Sequence, residues 1–216
     1  MNAINNAVIG VRVVVVLTGL LFVEACGNRE VVVDTDFPSP LVKKLPLTIG
    51  IVYGEDFRSH SYEDSSDVKG EIDWVLKTGS AQVALFNKLV GGMFDQTVLL
   101  DKFPDSVTPD VDAVFSPVIE DIQIAVPLVT RVNVFEIWIR YNLRMYTPEG
   151  EVIADWIMSA YGKTPTRFLK TKAQAVEQAT IVALRDGGAN FVIGFEKVPE
   201  VRRWLDGQLK KIPIEK

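Results

Sequence analysis

Apolar residues fall into three kinds of run along this chain, and each kind predicts a different element. The clearest is strict alternation. Phe135, Ile137, Ile139, Tyr141, Leu143 and Met145 fall on one side of an extended chain and Glu136, Trp138, Arg140, Asn142 and Arg144 on the other, the period of a strand with one buried face. Thr147-Pro148-Glu149-Gly150 follows, with proline early and glycine late as a hairpin turn prefers. Val152, Ala154, Trp156, Met158 and Ala160 then supply the inner face of a return strand. The β-branched alternation from Leu47 to Tyr53 predicts another strand, and Val98 to Leu100 a short one. Val111 to Ala125 reads as extended, with Pro117 placing it at an edge or a bulge.

The second kind of run has helical spacing. Ser80 is the expected N-cap of a helix reaching about Phe94, with Ala81, Ala84, Leu85, Phe86, Leu89, Val90 and Met93 on its apolar face and Gly91 and Gly92 weakening its last turn. Thr171 opens a longer helix to about Phe195, whose Ala175, Ala179, Val182, Ala183, Ala189 and Ile193 form a stripe of mostly small residues able to sit close on a sheet. After Pro199, Val201 to Leu209 offers a short terminal helix, with Trp204 covering a core edge. Residues 54–79 are polar and read as a surface insertion holding one short strand around Ile72 to Leu76. The order predicts an α+β domain over residues 46–209, with two helices packed on one face of a mainly antiparallel sheet of four to five strands.

The third kind is the unbroken run Val13 to Val23, which follows Arg12 and precedes Glu24-Ala25-Cys26-Gly27. Charged, apolar and small-residue segments in this order form a secretory signal. The run is shorter than the roughly 20 residues that span a bilayer. Val23-Glu24-Ala25-Cys26 resembles the bacterial lipobox, which implies removal of residues 1–25 and diacylation of Cys26 as the first mature residue. Val23 and Ala25 fit that pattern; Glu24 departs from it, standing where a small or apolar residue is usual. The alternative is an uncleaved membrane anchor with an incidental thiol. Several acyl chains give stable anchoring without a spanning helix. Gly27 is not the aspartate that the resemblance links to inner-membrane retention, which implies the periplasmic face of the outer membrane. Residues 26–45, with Asp34, Asp36, Pro38 and Pro40, read as a tether, or, over Val31 to Val33, as a short edge strand.

Composition narrows the functional classes. Apolar residues make up 48% of the 216, enough for a real core, and the formal charge of −5 offers no basic footprint for nucleic acid or for an anionic membrane surface. A single cysteine cannot form an internal disulfide or a cysteine-rich metal motif. The one histidine, His60, reads as a solvated loop residue. No nucleophile elbow, P-loop or dinucleotide-binding glycine turn occurs in the sequence. Glu120 and Asp121, like Glu63 and Asp64, are neighbours that a strand would send to opposite faces. Asp56, Glu63, Asp64 and Asp67 match no EF-hand spacing. The expectation is therefore no catalytic residues, no metal and no cofactor.

The stretch Trp138-Ile-Arg-Tyr-Asn-Leu-Arg-Met-Tyr-Thr-Pro-Glu-Gly150, then Asp155-Trp156 and Ala160-Tyr161-Gly162-Lys163, with Ala183-Leu-Arg-Asp-Gly-Gly-Ala189 and Phe191, resembles uncharacterised envelope lipoproteins of Gram-negative bacteria. More loosely the layout is similar to the lipopolysaccharide-assembly lipoprotein and to auxiliary lipoproteins of ABC-type lipid transporters. These likenesses imply lipid anchoring and a two-helix-on-sheet domain. The polar side of the best strand is the expected contact surface for an envelope protein: Trp138, Arg140, Arg144 and Tyr146 there would form an aromatic-basic patch if uncovered. The competing reading packs Trp138 under the insertion or the C-terminal segment, and makes Arg185 and Asp186 a structural ion pair. The leading functional expectation is a non-enzymatic accessory or assembly subunit of envelope machinery. A periplasmic lipid- or glycan-binding carrier is the runner-up and needs an apolar groove between helices and sheet. An envelope hydrolase using carboxylates stands third.

Overall fold

The computed structural model describes residues 29–64, 73–103, 110–127, 131–165 and 171–211. Cys26 and the expected signal segment lie outside these, as does Asp67. In chain order the elements are β1 (Arg29–Val32), β2 (Leu45–Val52), α1 (Glu55–Arg58), β3 (Ser61–Asp64), β4 (Trp74–Lys77), α2 (Gly79–Met93), β5 (Phe94–Leu100), β6 (Ala113–Ala125), β7 (Val134–Tyr146), β8 (Val152–Pro165), α3 (Lys172–Gly194), a 3-10 turn (Phe195–Lys197) and α4 (Pro199–Leu209).

The alternating run becomes β7, and its even spacing decides its packing. Phe135, Ile137, Ile139, Tyr141, Leu143 and Met145 are all buried at 1% exposure or less. β7 pairs antiparallel with β6 on one side and β8 on the other. The β7–β8 hairpin turns through Thr147 to Glu151, where Gly150 takes φ +91°, a left-handed conformation that suits glycine. β2 pairs with β6 only from Ala113 to Phe115, and a bulge falls between Ile119 and Asp121, so Pro117 lies where pairing on one side has ended.

Strand direction corrects the expected architecture. The larger sheet has the order β5-β2-β6-β7-β8, and β2 runs parallel to both β5 and β6. The sheet is therefore mixed rather than mainly antiparallel. The physical reason is the return through α2: a chain that leaves β2 and comes back over a helix lays its next strand parallel to the first. A second, three-stranded sheet, β1-β4-β3, is also mixed. It occupies the stretch expected to be a surface insertion, and it is packed: Trp74 and Leu76 are fully buried, and the Trp74 ring meets Phe135 edge-on at 6.0 Å. From Arg29 the stretch expected to be a tether is ordered too, because Val31, Val33 and Phe37 are each under 5% exposed. Arg29 to Val32, with β-branched Val31 and Val32, form an edge strand on β4 rather than a linker.

Four helices are present among the described residues, against the two expected on the sheet. α2 and α3 do cover one face of the larger sheet, and Phe86 of α2 is the hub of that interface. Its ring lies 5.7 Å from Phe115, 5.6 Å from Tyr141 and 5.7 Å from Phe191. α2 starts at Gly79, not after Ser80; Thr78 occupies the cap position. α3 begins as the sequence predicts, with Thr171 Oγ1 accepting from the Gln174 backbone N–H and Gln174 returning a bond to Thr171, a complete capping box. α4 buries Val201 and Leu205, and Trp204 packs against the core from the edge.

Candidate interaction surface

With both long helices on one side, the other face of β6–β7–β8 carries the polar positions of the alternation. The register lines up Gln123, Trp138 and Tyr161 across the three strands, then Asp121, Arg140 and Ser159, then Val118, Asn142 and Ile157, then Ser116, Arg144 and Asp155. Trp138 is 39% exposed, so among the described residues neither the insertion nor the C-terminal segment buries it. Its ring leans on Tyr161 at 5.1 Å. The Tyr161 hydroxyl donates to Glu136 Oε1, a bond that raises the phenol's pKa. Trp138 also borders a shallow cavity of about 290 Å³ whose other edges are Asp121, Gln123, Arg140 and Ser159. Val118 and Ile157 leave aliphatic surface exposed farther along the same face.

The structure revises the basic half of the expected patch. Arg140 Nε lies 2.9 Å from Glu120 Oε2, and Arg144 Nε lies 3.4 Å from Asp155 Oδ2 and 3.3 Å from Asn142 Oδ1. Each guanidinium is thus matched by a carboxylate on a neighbouring strand. The surface is aromatic with paired charges, not aromatic and cationic. Tyr146 belongs to its far end: Phe103 meets its ring edge-on at 4.6 Å, which removes it from the Trp138 cluster. Glu120 is the unpaired residue of the β6 bulge and Asp121 follows it, and the two carboxylates take different partners, Arg140 and Gln123.

Two other sequence candidates prove to be structural. His60 is half-buried rather than solvated: its Nδ1 is 3.0 Å from Thr78 Oγ1, and its carbonyl accepts from the Thr78 and Gly79 backbone N–H groups. Thr78 Oγ1 also accepts from Gln82 Nε2 at 2.7 Å, so His60 belongs to a hydrogen-bonded chain at the start of α2. Burial lowers the pKa of His60, and the Asp56 charge opposes that shift. Asp186 does not pair with Arg185. Its Oδ2 accepts from the Tyr161 backbone N–H at 3.0 Å and from Asn190 Nδ2 at 3.1 Å, pinning α3 to β8.

A second concavity, which no sequence signal marked, lies on the outer surface of the helix layer. It has a volume of about 350 Å³ and runs between α2, α3 and the segment of residues 37–41. The space between helices and sheet, where a carrier would need its groove, is filled by the rings of Phe86, Phe115, Phe191 and Phe195. Among the described residues no helix is long and apolar enough to cross a membrane, and no three His, Cys, Asp or Glu side chains gather within metal-binding reach.

No family model matches the sequence, and no curated protein matches it significantly. Solved structures do match. One is a Xanthomonas campestris protein, XCC0632, of the DUF330 family, with 12% identity over 84% of this chain and 98% of that one, at a TM-score of 0.49. A Helicobacter pylori protein named as a homolog of a neuraminyllactose-binding hemagglutinin has 10% identity over 82% of this chain and 100% of its own, at 0.44. The lipoprotein GNA1162 of Neisseria meningitidis has 13% identity over 63% of this chain and 95% of its own, at 0.27. All three are distant likenesses of shape.

Proposed function

We propose that this chain is a lipid-anchored, non-enzymatic accessory subunit of cell-envelope machinery, held on the periplasmic face of the outer membrane by acylated Cys26 and docking a protein partner on the open face of β6–β7–β8. The observation that carries the reading is the exposed Trp138–Tyr161 pair on a sheet face whose two arginines are already matched. Large aromatic side chains dominate the energy of protein interfaces. Paired arginines can be buried by a partner at lower cost than lone ones, since each brings its counter-charge with it. Val118 and Ile157 extend the apolar part of the surface.

The anchor and the fold combine into a further constraint. β1 starts at Arg29, three residues after Cys26. At roughly 3.3–3.6 Å per residue, an acylated Cys26 would hold β1 within about 10 Å of its membrane. On this reading the domain works at the bilayer surface, and its partner is membrane-associated.

Two measurements test the proposal. Intact mass of membrane-extracted protein should show a chain beginning at Cys26 with added acyl mass, absent in Cys26→Ala. A photo-crosslinking residue at position 138 should give a discrete adduct with one envelope protein, whereas the same residue at exposed Leu209 should not. Trp138→Ala should weaken that complex by about 30-fold, the equivalent of about 2 kcal/mol for a hot-spot side chain. An unprocessed chain, or equal crosslinking from both positions, would count against it.

A further inference from the structure

We propose that the groove on the outer helix layer binds the hydrocarbon chain of a single-chain anionic amphiphile, a long-chain carboxylate, with its head group at Arg185. The site is separate from the open sheet face and does not depend on the function proposed for it.

The groove is apolar because of how the two helices meet. Gly188 of α3 faces α2 so closely that a Cβ there would lie 3.2 Å from Leu85 Cδ1 and 3.4 Å from Leu89 Cδ2. The helices are therefore near each other at the floor, made by Leu85 and Leu89, and part above it. Val192 and Ile193 form one wall. The other wall is the segment of residues 37–41, which is fixed at three points. Phe37 is buried at 2% exposure, Lys88 Nζ approaches Asp36 Oδ1 at 3.7 Å, and Pro40 packs on Gly92, where no side chain would fit. The groove is preformed, which spares a ligand the cost of ordering it.

Size and charge narrow the occupant. A volume of about 350 Å³ is at the small end of the roughly 300–1,000 Å³ typical of ligand sites, suited to one chain rather than to a two-tailed lipid. Ile193 is 63% exposed and Leu41 fully so, leaving apolar surface at the mouth for a ligand to cover. Arg185 is the one charged side chain among the described lining residues. Its neighbour Asp186 accepts from the Tyr161 N–H and from Asn190 and makes no ion pair with it. A guanidinium at the rim of an apolar groove matches a carboxylate head group, which it can hold by two parallel hydrogen bonds.

The test uses the full-length, membrane-extracted protein and a diazirine-bearing C16 carboxylate, with adducts mapped by peptide mass spectrometry. Adducts should concentrate on residues 37–41 and 189–193. Unlabelled palmitate should compete, and hexadecyltrimethylammonium should compete at least tenfold less well. Shortening the competing carboxylate should weaken it about fourfold per methylene removed. Ala189→Trp fills the groove from an exposed position, and Ile193→Asp makes its wall polar. Each should cut labelling at least tenfold while melting close to wild type, so that loss of one variant to misfolding leaves the other to decide. Arg185→Glu should lower labelling tenfold and reverse the head-group preference. Adducts scattered over the surface, labelling unchanged in both groove variants, or equal competition by the cationic amphiphile would overturn the proposal.

Discussion

The substitution Gly162→Ala should destabilise this protein far more than adding one methyl group normally would. Gly162 of β8 lies directly beneath α3. A Cβ built there would overlap the Ala179 carbonyl oxygen and the Ala183 backbone nitrogen, and would sit 2.9 Å from Ala183 Cα. Carbon atoms prefer contacts of roughly 3.5–4.0 Å, so α3 would have to lift by about 1 Å, and such a gap forfeits a quarter to a half of the dispersion energy across it. The affected helix face includes Ala175, Val176, Ala179, Ala183 and Leu184, all fully buried. Overpacking costs about 1–3 kcal/mol when side chains can yield. Here the obstacle is helix backbone on a strand, so about 3 kcal/mol is expected. At roughly 2–4 °C per kcal/mol for a domain of this size, Tm should fall by about 6–12 °C. Circular-dichroism melts of the two proteins measure it. Gly91→Ala supplies the opposite sign: it lies within α2, nothing stands within 4 Å of its added Cβ, and it should gain about 0.5–1 kcal/mol. A Gly162→Ala protein melting within about 2 °C of wild type would refute this account of how the helix seats on the sheet.

Three further outcomes follow from the packing and caps. Phe86→Ala removes a fully buried ring that touches Phe57, Phe115, Tyr141 and Phe191, and urea unfolding should show a loss of about 3–5 kcal/mol; a loss below about 1.5 kcal/mol would mean the cluster is not the core's centre. Thr171→Ala breaks the capping box of α3 and should cost about 1 kcal/mol, with faster amide exchange confined to the first turn. His60 titrates below its ordinary value of 6.5 because it is buried, so as pH drops below 6.5 the unfolded chain takes up the proton first and the folded state loses stability until His60 protonates as well. His60→Gln should flatten the part of the Tm profile that begins to fall near His60's ordinary value of about 6.5, and unchanged slopes in the two proteins would show that His60 is not responsible.

What the sequence determined by itself was local. The period-two pattern from Phe135 to Met145 assigned an inner and an outer face to β7, because alternation in an extended chain is a property of the backbone, although Asn142 on the outer face is itself buried. Thr171 marked the start of α3 for the same kind of reason, since a cap acts within three residues, and the structure adds Gln174 as its partner. The small-residue stripe of α3 announced a close approach, and Ala175, Ala179 and Ala183 make it, but Ala189 and Ile193, expected on the same stripe, are exposed on the outer side. Trp138 could be placed on the open side of its strand, but not shown to stay uncovered.

The tertiary structure decided everything that depends on partners distant in sequence. Val31-Val32 and Trp74 to Leu76 are short apolar runs with no distinctive period, and they become part of a second sheet only because each finds the other across some forty residues. The direction of β5 was set by the path through α2. Arg140 and Arg144 looked like free cations because Glu120 and Asp155 stand beside them only in the folded sheet. The outer groove had no linear signal at all. Its floor comes from α2, its charge from α3 and its far wall from residues 37–41, and only folding brings those three segments together.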